Sequence, residues 1–311
     1  MKLTDSISTS LGLRGEYNKY PLLGIELEFE RYKDQYPSPT WWSQMDDPSL
    51  RNRGVELVSI PTQYEDLPRL LNFASPWIEE VGVAANYRCG VHIHMNMRCF
   101  SWGDLWNLST LYLLLEPNLF AVHAPGRDKN HFCVPNYLDT ALIDAMADDI
   151  QTLRGNRPPP LRILECPKYA ALNYAPLRKQ GTIEFRMFPG TTDMRKVQRW
   201  ADMLISLQQA AVKFDSPQEI IQLYEDIGRE ELAKRFDLHT CEINDLDSED
   251  SEIAANMICG YEPVTWQDLD WTMTDVVAEW PEDPAAYVDV GVQDIVNNLL
   301  NGVRFANNGG E

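Results

Sequence analysis

Carboxylates and imidazoles recur at every second position in three short stretches of the chain: Glu26-x-Glu28-x-Glu30, His92-x-His94-x-Asn96 and Glu184-x-Arg186. A spacing of two puts side chains on one face of a β-strand, because successive side chains of an extended chain point to opposite sides. The residues between them are apolar: Leu23, Ile25, Leu27 and Phe29, then Val91, Ile93 and Met95, then Ile183, Phe185 and Met187. Each stretch thus predicts a strand with one face on a core and one polar face. An antiparallel sheet half in water shows the same alternation, but its wet face carries Thr, Ser, Lys and mixed charge. No lysine occupies any of these polar positions. Carboxylates gathered this way repel one another unless a cation offsets them, which argues for a metal centre.

The donor types narrow the metal. Glu26, Glu28 and Glu184, joined by Glu56 from another predicted strand, offer hard oxygens that suit magnesium or manganese, whereas zinc favours more His or Cys. A single histidine among carboxylates is tolerated by either ion where phosphate oxygens complete the shell, and that combination points to nucleotide chemistry. The donor fork of Arg186 suits a phosphate. It equally suits an ion pair across the sheet to one of the glutamates.

The elements that must position these residues follow from the same patterns. Strands are predicted at residues 22–32, 54–60, 89–97 and 181–188, with a fifth at 169–174. Helices are predicted at 64–81, from Ser101 with Asp104 as a capping box, and from Asp193 with Val197, Trp200, Ala201, Leu204 and Ile205 on one stripe. Residues 36–53 and 151–168 read as loops rich in Pro, Gly and charge. His123 and His131, beside a Pro-Gly loop, and the loop arginines Arg157 and Arg178 are minor candidates for substrate contact.

Charge divides the chain. Residues 1–214 carry 23 Lys+Arg against 24 Asp+Glu, and residues 215–311 carry 4 against 23. Two regions are therefore expected: a catalytic region over 1–214 and an acidic, mostly helical region over 215–311, with helices at 218–236 and 266–280. Such acidity repels phosphate backbones, so direct nucleic-acid binding is not expected; a basic protein partner for the acidic region is the alternative to a solvated surface. The six scattered cysteines form no CxxC pair, no apolar run is long enough for a membrane helix, and the first twenty residues lack an apolar secretory core. A cytoplasmic location is expected.

Taken together, GIELEFE (24–30), GVELVSIP (54–61), CGVHIHM (89–95), YAALNYAPL (169–177) and GTIEFRMFPGT (181–191) resemble the phage-type amidoligase family. That family sits in the superfamily of glutamine synthetase and glutamate–cysteine ligase. The resemblance spans about residues 20–212 and implies an α+β fold: a curved antiparallel sheet, a half-barrel like that of glutamine synthetase, with helices packed on its outer face. It implies ATP and Mg2+ (or Mn2+) as cofactors, Glu26, Glu28, Glu56, His92 and Glu184 as metal ligands, and Arg186 on the transferring phosphate, with Arg127 completing the clamp. His94 and Asn173 match the family pattern in the nucleotide-binding region. The implied reaction joins small-molecule or peptide carboxylate and amine substrates through an acyl phosphate, in the host cytoplasm if the gene is a phage's. Two other readings remain: a cupin-like oxygenase, since His-x-His with a distant Glu is also that fold's signature, and a catalytically silent binding protein using its acidic region.

Overall fold

A computed structural model of the chain describes residues 3–13, 22–33, 36–155, 161–165, 169–238 and 245–259. In chain order its elements are α1 (Ile7–Leu11), β1 (Leu22–Phe29), β2 (Trp42–Met45), β3 (Val55–Ser59), β4 (Thr62–Gln63), α2 (Leu67–Val81), β5 (Gly90–Asn96), α3 (Trp102–His123), α4 (Thr140–Arg154), β6 (Leu172–Asn173), α5 (Leu177–Gln180), β7 (Thr182–Pro189), α6 (Met194–Ala211), α7 (Pro217–Lys234) and α8 (Asp245–Cys259). The seven strands among the described residues form one curved antiparallel sheet in the order β2-β3-β1-β5-β7-β6, with β4 pairing to the start of β1. The expected α+β architecture is thus the observed one.

Alternation sorts the two faces of the sheet. Leu23, Ile25, Leu27 and Phe29 of β1, Val91, Ile93 and Met95 of β5, and Ile183, Phe185 and Met187 of β7 are all buried. Burying each such side chain contributes about 1.5–3 kcal/mol, enough to fix the register, because a one-residue slip would drive the glutamates into the core. Against this apolar face lies α3, whose Tyr112 ring meets Phe185 at 5.7 Å between centroids. Ser101 caps α3 through the predicted box with Asp104, and Asp193 caps α6 by accepting from the Arg195 amide.

Helix α3 is buried over nearly its whole length, as expected of a helix apolar on all sides. It is covered on its other flanks by α6, α7 and α8. The buried residues Ala254, Ala255, Ile258 and Cys259 of α8 belong to this layer. At Gly228, whose φ of 77° suits a residue without Cβ, α7 kinks. The next side chain, Arg229, turns inward to donate to Leu114 O at 2.7 Å, Ser248 O at 2.8 Å and Ser251 Oγ at 2.7 Å, so it ties α3 and α8 to α7.

The chain divides into two compact units, Met1–Pro263 and Val264–Glu311; the second, with the helix expected at 266–280, lies outside the described residues. Helices α7 and α8, drawn from the acidic part of the chain, pack within the first unit. Strands β2 and β4 and helices α4 and α8 were not specifically anticipated from sequence, and β2 falls inside the stretch read as a loop. No helix among the described residues is long and apolar enough to cross a membrane.

Candidate functional site

Register places the polar residues opposite one another. Glu28 pairs with Glu56 across β1 and β3, Glu26 with His92 across β1 and β5, and His94 with Glu184 across β5 and β7; Asn173 of β6 stands opposite Glu184. Directly opposed residues of an antiparallel pair share a face, so all seven project from the same side of the sheet. Irregular pairing between Val91 and Ile93 locally breaks the β5–β7 ladder beside His92.

The contacts knit these side chains into one cluster. His92 Nδ1 lies 3.2 Å from Glu26 Oε2 and 3.5 Å from Glu184 Oε1, while its Nε2 is 3.6 Å from Glu28 Oε1. His94 Nε2 is 3.1 Å from Glu26 Oε1, and its Nδ1 is 3.2 Å from Thr182 Oγ1. Asn173 Nδ2 donates to Glu184 Oε2 at 2.8 Å, and Arg186 donates to Glu184 Oε1. Gly90, at the start of β5, donates its backbone N–H to Glu28 Oε2. A side chain at position 90 would crowd the cluster: its Cβ would stand 2.8 Å from His92 Nε2 and 3.3 Å from Arg127 Nη2, so the His92 ring would have to shift.

The electrostatics divide the carboxylates. Burial pushes Glu26 up, but hydrogen bonds and charge from His92 and His94 outweigh it and hold its carboxyl well below the usual range. Burial raises Glu28 despite the opposing pull of His92 and the Gly90 amide. Glu56 is pushed up to about 8, first by burial and then by the charges of Glu26, Glu28 and Asp47. For His94, burial works against protonation, and the Glu26 hydrogen bond with the charges of Glu184 and Glu26 overcomes it to raise the imidazole. In Glu56, two neighbouring glutamates and an aspartate oppose the loss of its proton; a divalent cation reverses that balance.

A cavity of about 240 Å³ opens over the cluster, with Glu26, Glu28, Glu56 and His92 on one side and Arg88, Arg127 and Arg186 among its other lining residues. Three groups of potential ligands have donor atoms within 4.8 Å of one another: Glu26, Glu56 and His92; Glu26, His94 and Glu184; Glu28, Asp47 and Glu56. Oxygen-rich sets of this kind fit magnesium or manganese. Arg127 is buried, with Nη1 donating to Cys89 O at 2.9 Å. Its Nε and that of Arg186 have no hydrogen-bond partner among the described residues.

Every residue singled out from sequence for metal, phosphate or nucleotide therefore lies at this one place. Three others do not belong to it. Glu30, though in phase with Glu26 and Glu28, accepts from Asn52 Nδ2 and Asn86 Nδ2, each at 2.8 Å, and from the Arg51 amide at 3.1 Å; it staples two loops beside the strand end. His123 packs against the rings of Phe188 and Trp200 at 6.5 and 5.2 Å. Arg178 is exposed and pairs with Glu165 at 3.5 Å. Arg157 lies outside the described residues, and His131 is exposed. Sequence reasoning missed Asp47 and Arg88. Asp47 is held by Ser49, whose N and Oγ each donate at 2.8 Å; the Asp-x-Ser spacing was the available signal, since it marks a side-chain-stabilised turn. Among the described residues each potential metal group holds at most one histidine, His92 and His94 falling in different groups, whereas a cupin-like centre would gather several.

The profile of a family described as "Putative amidoligase enzyme" matches residues 26–208, more than half of this chain. No curated protein matches. Among solved structures, a bifunctional glutathione synthetase from Pasteurella multocida is similar at 11% identity and a TM-score of 0.31, over 78% of this chain and 52% of that one. This chain thus spans about half the length of that protein.

Proposed function

Because this chain belongs to the amidoligase family, we propose that it is an ATP-dependent ligase that joins a carboxylate to an amine through an acyl phosphate. The observation that carries the proposal is the convergence of Glu26, Glu28, Glu56 and His92 with Arg127 and Arg186 around one cavity, with His94 and Glu184 in contact with Glu26 and His92 at its edge. Glu26, Glu28, Glu56, His92 and Glu184 would hold magnesium or manganese, with Asp47 in reach of the Glu28–Glu56 side. The bound ions would offset negative charge on the ATP phosphates.

In this reading the substrate carboxylate oxygen attacks the terminal phosphorus of ATP and ADP leaves; the amine then attacks the acyl carbon, phosphate leaves, and the amine gives up a proton. Arg186 exchanges its Glu184 partner for a phosphoryl oxygen, and the unpaired Nε of Arg127 supplies a second donor. Asn173 keeps Glu184 oriented throughout. Small-molecule or peptide carboxylates and amines are the substrates proposed, in the cytoplasm.

The test follows ADP and phosphate release by the full chain with Mg2+ and a panel of carboxylates and amines, reading the amide by mass spectrometry. Turnover should depend on an added carboxylate and should fall on the order of 100-fold or more in Glu184→Gln with an unchanged circular dichroism spectrum. A Gln variant as fast as wild type would remove the site from the reaction.

A further inference from the structure

Strand β6 holds the residue that orients Glu184, yet it is two residues long and lies at the edge of the sheet. A strand so short has little of its own to fix it. Its inner edge pairs with β7, where Leu172 faces Phe185 and Asn173 faces Glu184, and Arg186 N donates to Ala171 O at 2.7 Å. Its outer edge is occupied by the chain at 134–136. Val134 N donates to Tyr169 O at 2.8 Å and Ala171 N to Val134 O at 2.7 Å. Beyond Ala171 the ladder is continued by a side chain: Asn136 Oδ1 accepts from Leu172 N at 2.7 Å and Asn136 Nδ2 donates to Leu172 O at 2.8 Å. The carboxamide stands where one more peptide unit would stand, and only this orientation of its oxygen and nitrogen satisfies both bonds.

Asn136 is itself fixed from behind. The carboxyl of Glu116, on α3 and fully buried, accepts from Asn136 N at 2.9 Å and from Tyr137 N at 3.1 Å. Each link in this path is buried: Glu116 at 0%, Asn136 at 1%, Leu172 at 0%, Asn173 at 4% and Glu184 at 5% exposure. Buried polar groups linked in series are each costly to leave unmatched. The path therefore has one low-energy arrangement, and that arrangement ends with Asn173 Nδ2 on Glu184 Oε2.

We infer that Asn136, clamped by Glu116, is a positioning residue for the candidate site: it holds β6 so that Asn173 aims the Glu184 carboxylate. The inference rests on the ligase reading for what Glu184 does, and on the hydrogen-bond path for how Glu184 is held. It touches no substrate; it acts through Leu172 and Asn173. Partners that orient a metal-binding carboxylate commonly change metal affinity by about 10- to 100-fold when removed.

The experiment uses the full chain, Mn2+ alone as probe, and variants Asn136→Ala, Asn173→Ala and the double. Mn2+ binding is read by electron paramagnetic resonance. Hydrogen exchange of the Asn173 carboxamide, identified by its loss in Asn173→Ala, is read by NMR. Each single variant should weaken Mn2+ binding about tenfold or more, the double should be no more than about twofold weaker than the worse single, and Asn173 exchange should accelerate at least tenfold in Asn136→Ala. Additive losses, unchanged Mn2+ affinity in Asn136→Ala, or unchanged Asn173 exchange would each overturn the inference. A wild type that takes up no Mn2+ would refute the metal reading of the site, and the exchange measurement would then decide the positioning on its own. If Asn136→Ala does not fold, Glu116→Gln, which keeps the volume and loses one of two acceptors, should accelerate Asn173 exchange; no acceleration would overturn the inference equally.

Discussion

Replacing Glu56 by glutamine should stabilise the metal-free protein, by an amount that grows with pH. The carboxyl is pushed up to about 8 by burial and by the charges of Glu26, Glu28 and Asp47, from an ordinary value of 4.5. Between those values the folded chain keeps a proton that the unfolded chain has released, so stability falls as pH rises through this window by about 1.4 kcal/mol per pH unit. From 4.5 to 7 the ceiling is roughly 3.4 kcal/mol. Glu56 is only half-buried, and solvent screening brings the expected gain down to about 1–2 kcal/mol. In thermal melts that amounts to roughly 2–8 °C for a unit of this size. Glutamine keeps the shape and has no proton to release. The difference between variant and wild type should therefore be absent at pH 4, open above about 4.5 and stop growing near 8. Melting curves in chelator from pH 4 to 8.5 measure it. Added Mg2+ should then raise the wild type more than the variant and narrow the gap, since an ion that binds only the folded state stabilises it by mass action. A gap that is flat with pH, or a variant less stable than wild type at pH 7 in chelator, would refute this account of the carboxylate cluster.

Gly90→Ala must displace His92 or Arg127 and should cost about 1–3 kcal/mol in urea unfolding; an unchanged midpoint would mean that the close approach is relieved without strain. Arg229→Met leaves Leu114 O, Ser248 O and Ser251 Oγ without their shared donor and should cost about 2–4 kcal/mol by the same assay. Burial raises the Glu116 carboxyl to about 8, so its contribution to stability is retained below about 4.5 and lost as pH rises from there to about 8. Glu116→Gln should accordingly flatten the fall of the urea midpoint between pH 5 and 8, and an unchanged slope would count against it.

The central strands were legible because their two faces differ along most of their length. β1, β5 and β7 each alternate apolar and chemical side chains, and burial of the apolar set leaves one register. Alternation gives the face of a residue but not its neighbours. Glu30 shares the phase of Glu26 and Glu28, yet at the strand end its neighbours are the Asn52 and Asn86 side chains. Asp47 and Arg88 come from loops, whose place depends on tertiary packing that no local period encodes. Strand β2 is only four residues long, with Trp42 buried and Met45 exposed, too little pattern to tell from a loop. The charge step near residue 214 was read as a structural boundary. Charge reports on solvent-facing positions, whereas the residues that seat α8 are Ala254, Ala255, Ile258 and Cys259.

That seating matters to anyone choosing where to cut the gene. The family match ends at residue 208, a tempting place for a stop codon, and everything that does chemistry in the present proposal precedes it. A fragment cut there would leave α3 with bare apolar flanks where α7 and α8 pack in the intact chain. Uncovered surface of that kind drives association between copies. A fragment ending at 208 should accumulate as aggregates and one carried through Cys259 should not, so an inactive short form would say nothing about the catalytic face.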